Sequence, residues 1–431
     1  MAKKLLIAVI GLLWIAPPIR ALPQEIDSTM TLDQVMETAL RENAQLRSLR
    51  ANWEAMQERP AQAGALPNPM FQYGGMDAID GGSWPNTNEK RFGVEQPFPW
   101  FGKRGLMERV AATEAEAAGR GYDATMRDLI MTVKESYFEL YSVQRAFSVT
   151  RGEQDVLEQM QKIAETKYAT GEVNQQDAVK AQAEVTMLET RALELEQEET
   201  TLKAKLNQLL NRPASFPLGL AVTEPPRGFE FEAKDLVDLA QNTRPEIKQA
   251  RLEIERGSYQ RDLMKKESFP DYRLGVEYRS FREGDDMVMF TVGLDLPIWR
   301  TKYRAGVREA EKMTESQRAG LDAVEKQISF DVRDAHSKLL TGERIANLYE
   351  TTLIPQAQAR FEASEAGYRT GKVDFLDLLE SERFLLNVRV MSAMAEGQLG
   401  VLLARLERAA GTDLENGIPP QPPTPQRRNE E

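Results

Sequence analysis

Cysteine is absent from this sequence of 431 residues, and histidine occurs once, at His336. Without cysteine the chain cannot form a disulfide, a thiolate zinc site, a cysteine nucleophile or a lipid-modified N-terminal cysteine. His336 lies in a helical pattern with no second histidine, so we predict that it packs or faces solvent and binds no metal. No pairing of nucleophile and general base stands out. We therefore predict no enzyme activity, no cofactor and no metal site.

Aromatic residues are few, at 7% of the chain, whereas charged residues reach 28% and the formal net charge is -12. This balance suits long solvated helices better than one large compact core. The acidic charge, with no cluster of interleaved basic and aromatic residues, argues against a nucleic-acid partner.

Long apolar runs are also lacking. The run from Leu5 to Ala16 follows Lys3 and Lys4 and is too short to cross a bilayer. A basic segment followed by a short apolar one is typical of a secretory signal. We therefore predict a signal peptide at residues 1–21 and export of the mature protein.

The chain does contain an internal duplication. The sequence Tyr-Ala-Thr-Gly-Glu-Val at 168–173 is followed by Asp177, and Tyr-Arg-Thr-Gly-Lys-Val at 368–373 is followed by Asp377. Each copy interrupts a long helical pattern at a glycine, as expected where two antiparallel helices meet at a tight tip. The predicted organisation is a signal peptide (1–21), a first repeat (22–211), a connector (212–232), a second repeat (233–411) and a disordered proline-rich tail (412–431).

Two very long helical patterns lead to these tips, at residues 102–168 and 302–368. At 1.5 Å per residue, each reaches roughly 100 Å if unbroken. Their narrow apolar seams predict packing against superhelical neighbours, and Pro355 predicts a kink or break in the second helix. Four further helices are predicted, two returning from the tips at 174–211 and 374–410, and two entry helices at 32–59 and 236–266.

Between the entry helices and the long helices, the apolar period changes from helical to two. Four strands in two hairpins are predicted, near residues 71–73, 92–98, 272–278 and 288–296. Such strands usually belong to a water-soluble sheet. The secretion signal, the aromatic residues at the strand ends and strand lengths near the roughly 9–11 residues that cross a bilayer favour a membrane β-barrel instead.

The alternation assigns side chains to two faces and to the strand ends. We predict Trp100, Tyr272 and Trp299 at the membrane interface. Four strands cannot close a barrel, since the smallest have about eight, and open edges are not tolerated in lipid. Several chains must share one barrel, two giving eight strands and three giving twelve. The polar residues predicted to face the lumen are Arg273, Glu277, Arg279, Thr291 and Asp295.

Together, the signal, the duplication, the strand hairpins and the Thr-Gly tips resemble the TolC-like outer-membrane efflux protein family over residues 30–411. The resemblance implies an α+β membrane protein in the outer membrane of a Gram-negative bacterium. It implies a homotrimer in which a twelve-stranded transmembrane β-barrel, four strands per chain, continues as a long antiparallel α-helical barrel through the periplasm. The implied partners are outer-membrane lipid, a periplasmic adaptor and an inner-membrane pump, and the implied function is passive efflux.

The resemblance also implies roles for the tip residues. The implied gate is an acidic ring of Asp377 and Glu380, which share a helical face. In the first repeat Asp177 matches Asp377, but Lys180 replaces the second acid, so Asp177 is expected mainly to stabilise its helix. An ordinary solvated helix face is the alternative for these acids. The implied contacts with the adaptor are Thr170, Gly171, Glu172, Val173, Thr370, Gly371, Lys372 and Val373.

Two other functions remain as alternatives. The duct could serve a type I protein secretion system, or the chain could be a periplasmic coiled-coil scaffold with a small soluble sheet. The stretch from Phe98 to Lys103 is similar to that of some heavy-metal efflux members, which points weakly to metal ions as cargo.

Overall fold

The computed structural model describes residues 29–76, 88–171 and 174–414. The predicted signal peptide, nearly all of the predicted tail and the tip residues Glu172 and Val173 lie outside these ranges. Within the described ranges, no helix is both long enough and apolar enough to cross a membrane. In chain order the elements are β1 (Thr29–Met30), α1 (Leu32–Glu42), α2 (Ala44–Gln57), α3 (Arg59–Ala63), β2 (Met70–Met76), β3 (Glu89–Phe98), α4 (Lys103–Ala169), α5 (Gln175–Leu209), β4 (Leu220–Ala221), α6 (Ala233–Thr243), α7 (Pro245–Lys266), β5 (Asp271–Phe281), β6 (Met287–Asp295), α8 (Arg300–Leu348), a π-helical turn (Tyr349–Leu353), α9 (Ile354–Arg369) and α10 (Phe375–Ala410).

The first long helix is confirmed. Helix α4 runs unbroken for 67 residues and α5 returns for 35 residues, so α4 extends for roughly 100 Å at the usual helical rise. Helix α4 packs along α5, α7 and α10. The rods are therefore joined along their length by apolar seams, as their periodicity predicted.

The second long helix is interrupted where Pro355 predicted. A π-helical turn at Tyr349–Leu353 separates α8 from α9, and Pro355 lies in the first turn of α9. Proline has no backbone N–H, and its ring crowds the carbonyl of the residue four positions earlier, Thr351. The wider turn relieves that conflict without ending the rod.

Each predicted entry helix is instead divided, and this part of the prediction is wrong in detail. Asn43 is extended and caps α2 by accepting a hydrogen bond from the backbone N–H of Leu46 at 3.0 Å. Arg244 is extended because Pro245 follows it. The helical region also continues past the predicted end at residue 59, because Pro60 lies in the first turn of α3, where no N–H is needed.

The four predicted strands form one antiparallel sheet in the order β2-β3-β5-β6. The two predicted hairpins are confirmed by the pairing of β2 with β3 and of β5 with β6. The hairpins join through β3 and β5, which pair from Phe98 opposite Tyr272 to Glu89 opposite Phe281. Among the described strands, β2 and β6 each have one unpaired edge.

The connector between the repeats is tied to the N-terminal segment. Strand β4 pairs in parallel with β1. The Tyr137 hydroxyl on α4 donates a hydrogen bond to the Met30 carbonyl at 2.8 Å and accepts from the backbone N–H groups of Val222 and Thr223. Because Tyr137 is completely buried, these bonds form a strong internal anchor.

Helix α10 lies very close to α4 where glycines remove the side chains between them. A Cβ atom added to Gly400 would lie 2.2 Å from Cγ of Phe138. At Gly397 it would lie 2.7 Å from the Phe138 carbonyl oxygen. The centre of the helical region therefore depends on two glycines chosen for space, since their backbone is ordinary helix.

Candidate functional site

The sheet has one apolar face that no described element covers. Phe290 is 78% exposed, and Phe71 and Val292 are similarly exposed. Tyr73, Phe92 and Tyr278 form an aromatic row across three strands on this face, with ring centroids 4.9 and 6.4 Å apart. The apolar face consists of Phe71, Tyr73, Phe92, Val94, Phe98, Tyr272, Leu274, Val276, Tyr278, Val288, Phe290, Val292 and Leu294.

The opposite face carries paired charges. Arg273 forms ion pairs with Asp295 and, at 3.6 Å, with Glu95. Arg279 forms ion pairs with Glu277 and, at 3.7 Å, with Glu89. The strand register places all five residues predicted to face the lumen on this face. The acids of β3 were not singled out from the sequence, although the alternation in β3 carried the signal.

This polarity is the reverse of that of a water-soluble sheet. There the apolar face is covered by a core and the charged face is solvated. Here the apolar side chains are the more exposed ones, while the charges pair with one another and, except for Asp295, are half-buried. An uncovered apolar face of this extent marks a surface for lipid or protein.

Aromatic side chains cluster where the strands meet the long helices. The Trp100 ring stacks on Phe269 at 5.6 Å, and the rings of Phe98 and Tyr272 stack at 5.3 Å. Trp299 is 72% exposed at the start of α8. All three predicted interface aromatics therefore lie at one end of the sheet, at the strand-to-helix junctions.

The duplicated motif forms the two hairpin tips. Gly171 and Gly371 have φ values of 76° and 71°, a left-handed conformation that favours glycine. The preceding threonines, Thr170 and Thr370, donate hydroxyl hydrogen bonds to carbonyls of the last helical turn. The motif is thus a helix-ending signal in both repeats.

The two tips are in contact. Lys167 Nζ on the first lies 4.4 Å from the ring centroid of Tyr368 on the second and donates a hydrogen bond to the Tyr368 carbonyl at 3.4 Å. Tyr368 also packs 5.6 Å from Phe375 on α10. A shared apolar cluster at this end includes residues of α4, α5, α9 and α10. A displacement of one tip therefore affects the other.

The predicted gate acids lie at the start of α10. Asp377 and Glu380 are exposed, whereas Phe375, Leu378 and Leu379 are buried on the other side of the helix. Asp374 caps α10 by accepting a hydrogen bond from the Asp377 backbone N–H at 2.9 Å. The two acids therefore point away from the core of this chain.

Asp177 has a different environment from its counterpart. It is half-buried in the first turn of α5, and its backbone N–H donates to the Asn174 carbonyl at 3.1 Å. A carboxylate in the first turn stabilises the positive end of the helix dipole.

A buried acidic group near the tips was not anticipated. Glu382 on α10 is 1% exposed, and neither carboxyl oxygen has a hydrogen-bond partner among the described residues. Burial, with the nearby charges of Glu153 on α4 and Glu184 on α5, raises the pKa of Glu382 to about 8. Those two glutamates form ion pairs with Arg389 and Arg383. Glu382 therefore holds its proton more tightly than an exposed glutamate does.

Comparison with known proteins shows consistent matches to one group. The family model described as outer membrane efflux protein matches residues 35–212 and 236–412. The chain is 21% identical over 399 residues to the cobalt-zinc-cadmium resistance protein CzcC of Cupriavidus metallidurans, covering 90% of this chain and 92% of the relative.

Two solved structures illustrate the similarity of fold. The outer membrane protein VceC of Vibrio cholerae has a TM-score of 0.75 at 19% identity, covering 88% of this chain and 96% of that one. The open state of the MtrE outer membrane channel of Neisseria gonorrhoeae has a TM-score of 0.73 at 20% identity, covering 90% of both chains.

Proposed function

We propose that this chain, which belongs to the outer membrane efflux protein family, forms the passive outer-membrane duct of a tripartite efflux system. Family membership confirms the resemblance drawn from the duplicated motif. The observation that carries the proposal is the two-faced sheet, whose apolar face is uncovered and whose charged face is internally paired.

Three copies of the chain would complete a barrel of twelve strands. Each copy supplies four strands with unpaired edges at β2 and β6. In lipid, unpaired backbone N–H and C=O groups cost several kcal/mol each, so the edges must pair with those of neighbouring copies. The apolar face then meets lipid, and Arg273, Glu277 and Arg279 line an aqueous lumen.

The helices would continue this lumen through the periplasm. Rods of roughly 100 Å place the hairpin tips far from the sheet, where they can meet a periplasmic adaptor and, beyond it, an inner-membrane pump. Glycine turns at Gly171 and Gly371 present both tips at the same end. Three copies would also bring Asp377 and Glu380 around a common axis as an acidic gate.

Metal ions are the cargo that the comparisons favour. The relative CzcC is named for resistance to cobalt, zinc and cadmium, and the match covers nearly the whole of both chains. A protein-secretion duct would need a lumen that stays open to a polypeptide, and no observation here favours that alternative.

The proposal is tested on the full chain expressed in its host. We expect the mature protein in the outer-membrane fraction, extractable only with detergent, as a trimer by native mass spectrometry and with single-channel conductance in planar bilayers. Deleting the gene should lower the zinc and cobalt concentrations that stop growth, and a plasmid copy should restore them.

The opposite results discriminate between the alternatives. A monomer that stays in solution without detergent would establish the scaffold and end the duct proposal. A trimeric channel whose deletion leaves metal resistance unchanged would preserve the duct and exclude metal ions as its main cargo.

A further inference from the structure

A basic, partly apolar groove lies where the sheet passes into α8. It has a volume of about 800 Å³. We call it the α8 groove. The residues that line it include Lys265, Leu296, Ile298, Arg300, Tyr303 and Arg304. No function described above uses these side chains.

The charge around this groove is unusual for an acidic chain. Residues 299–308 contain four bases, Arg300, Lys302, Arg304 and Arg308, and no acid. Neither Arg300 nor Arg304 forms an ion pair within the described residues, and Lys265 has one acidic neighbour, Asp262 at 3.6 Å. The groove therefore holds positive charge that no described residue neutralises.

The position of this charge on α8 adds to the effect. The N-terminal end of a helix is already positive, and acidic residues are the usual choice there. The first turn of α8 has no acid, and Trp299 provides no side-chain cap. An anion bound at this point would satisfy both the helix end and the arginines.

At the equivalent junction of the first repeat, the bases find partners within the chain, and Lys103 finds its partner in the neighbouring second repeat. Lys103 Nζ lies 2.8 Å from Asp271 Oδ1, and Arg104 donates two hydrogen bonds to the Gly64 carbonyl at 2.8 and 2.6 Å. Both long helices thus begin with bases, but Arg300 and Arg304 of the second have no partner among the described residues. The difference points to a partner from outside the chain.

The apolar part of the groove indicates what kind of anion binds. Leu296 and Ile298 are each 66% exposed, directly after the last residue of β6. With the exposed ring of Trp299, they form an apolar and aromatic band next to the basic residues. Such a combination is typical of a membrane interface, where bases meet lipid phosphates.

We propose that the α8 groove binds the phosphate headgroup of an anionic phospholipid, with Leu296 and Ile298 against its first acyl carbons. The inference rests on the proposed function, because the groove must lie at the membrane surface on the side of the helices. Binding would fix the start of α8 relative to the sheet.

The test uses the full-length oligomer purified in detergent. Native mass spectrometry is used to titrate dioleoyl phosphatidylglycerol against dioleoyl phosphatidylcholine, with glycerol 3-phosphate as a soluble competitor. We expect phosphatidylglycerol to bind more tightly. Replacing Arg300 and Arg304 together by glutamine should weaken that binding roughly 30-fold, the loss expected for two cations near an anionic lipid.

Two matched variants identify the cause. Arg318 and Arg333 are exposed arginines further along α8, and replacing both by glutamine should leave lipid binding unchanged. Replacing Arg300 and Arg304 by lysine should retain the preference for phosphatidylglycerol, which separates loss of charge from loss of fold.

Other outcomes overturn the inference. Equal binding of the two lipids, or equal binding by the glutamine variant, would mean that the groove is not a lipid site. Effective competition by glycerol 3-phosphate would identify a soluble anion as the ligand. If the glutamine variant dissociates in phosphatidylcholine alone, the groove is a contact between copies. Failure of the unsubstituted oligomer to insert and conduct would instead count against the proposed function.

Discussion

At the scale of single residues, Glu382 is the most consequential side chain near the tips. Its carboxyl lies between α4, α5 and α10, close to Glu153 and Glu184, and their partners Arg389 and Arg383 are directed to those two acids. Arg360 on α9 lies over the neighbouring ring of Phe384 and is engaged there. Folding is therefore compatible with Glu382 in its neutral form.

The free energy of unfolding should fall as the pH rises from about 4.5 to about 8. The pKa of Glu382 rises from 4.5 to about 8 on folding, so the folded state holds the proton more tightly. The contribution is full below pH 4.5 and is lost as the pH approaches 8, amounting to a few kcal/mol at most. We expect the thermal midpoint of the detergent-purified oligomer to decrease from pH 5 to pH 8.

The matched substitution isolates this group. In Glu382→Gln the decrease should become smaller, and the remainder should reflect Glu407, whose pKa burial raises to about 7. Replacing Glu189, an exposed glutamate on α5, by glutamine should leave the pH profile unchanged. An unaltered profile in Glu382→Gln would show that this carboxyl is already ionised in the folded protein.

At the scale of helices and strands, apolar periodicity predicted the type and position of most elements. Contacts between residues distant in the sequence could not be predicted in this way. The period of two predicted the strands, and Pro355 predicted the interruption of the second rod. The divisions at Asn43 and Arg244 depend on local capping that an apolar pattern does not report. Glu382 resembles any polar helix residue, because the elements that bury it lie about 200 residues away in the sequence.

The close approach of α4 and α10 makes Gly400 a sensitive position. Alanine there would place a Cβ atom 2.2 Å from Phe138, and we expect Gly400→Ala to lower the free energy of unfolding by about 1–3 kcal/mol through overpacking. Gly320 on α8 has nothing within 4 Å of such an atom. Gly320→Ala should therefore stabilise the chain by roughly 0.5–1 kcal/mol.

Chemical denaturation of both variants, followed by circular dichroism, measures these changes. The critical result is that the two changes in the free energy of unfolding have opposite signs, because both substitutions add the same methyl group to a helix. Two stabilised variants would mean that α10 and α4 are further apart in solution.

At the scale of the whole molecule, the proposed gate acids would acquire that role only in an assembly of several copies. Asp377 and Glu380 are exposed within one chain, and repulsion among several copies arises only around a shared axis. An acidic ring attracts cations into a pore. We expect the double variant Asp377→Asn with Glu380→Gln to lose much of the cation preference of the channel.

Reversal potentials in planar bilayers under a salt gradient measure that preference. The control is the double variant Glu189→Gln with Glu196→Gln, which replaces two exposed acids of α5 away from the tip. This variant should show the same reversal potential as the unsubstituted protein. Unchanged reversal potentials in the Asp377 and Glu380 variant would remove the gate assignment and leave these acids as solvated surface.

The pairing of β3 with β5 also constrains when the protein can mature. Partners in this ladder are separated by 174 residues at Phe98 and Tyr272 and by 192 at Glu89 and Phe281. Ladders with such long sequence separation form slowly. The first hairpin therefore keeps its apolar surface exposed at least until β5, which ends at Phe281 of the 431 residues, has been synthesised. Chains that have not yet formed this ladder are consequently prone to aggregation. A chaperone that binds unfolded chains would have its greatest effect in that interval.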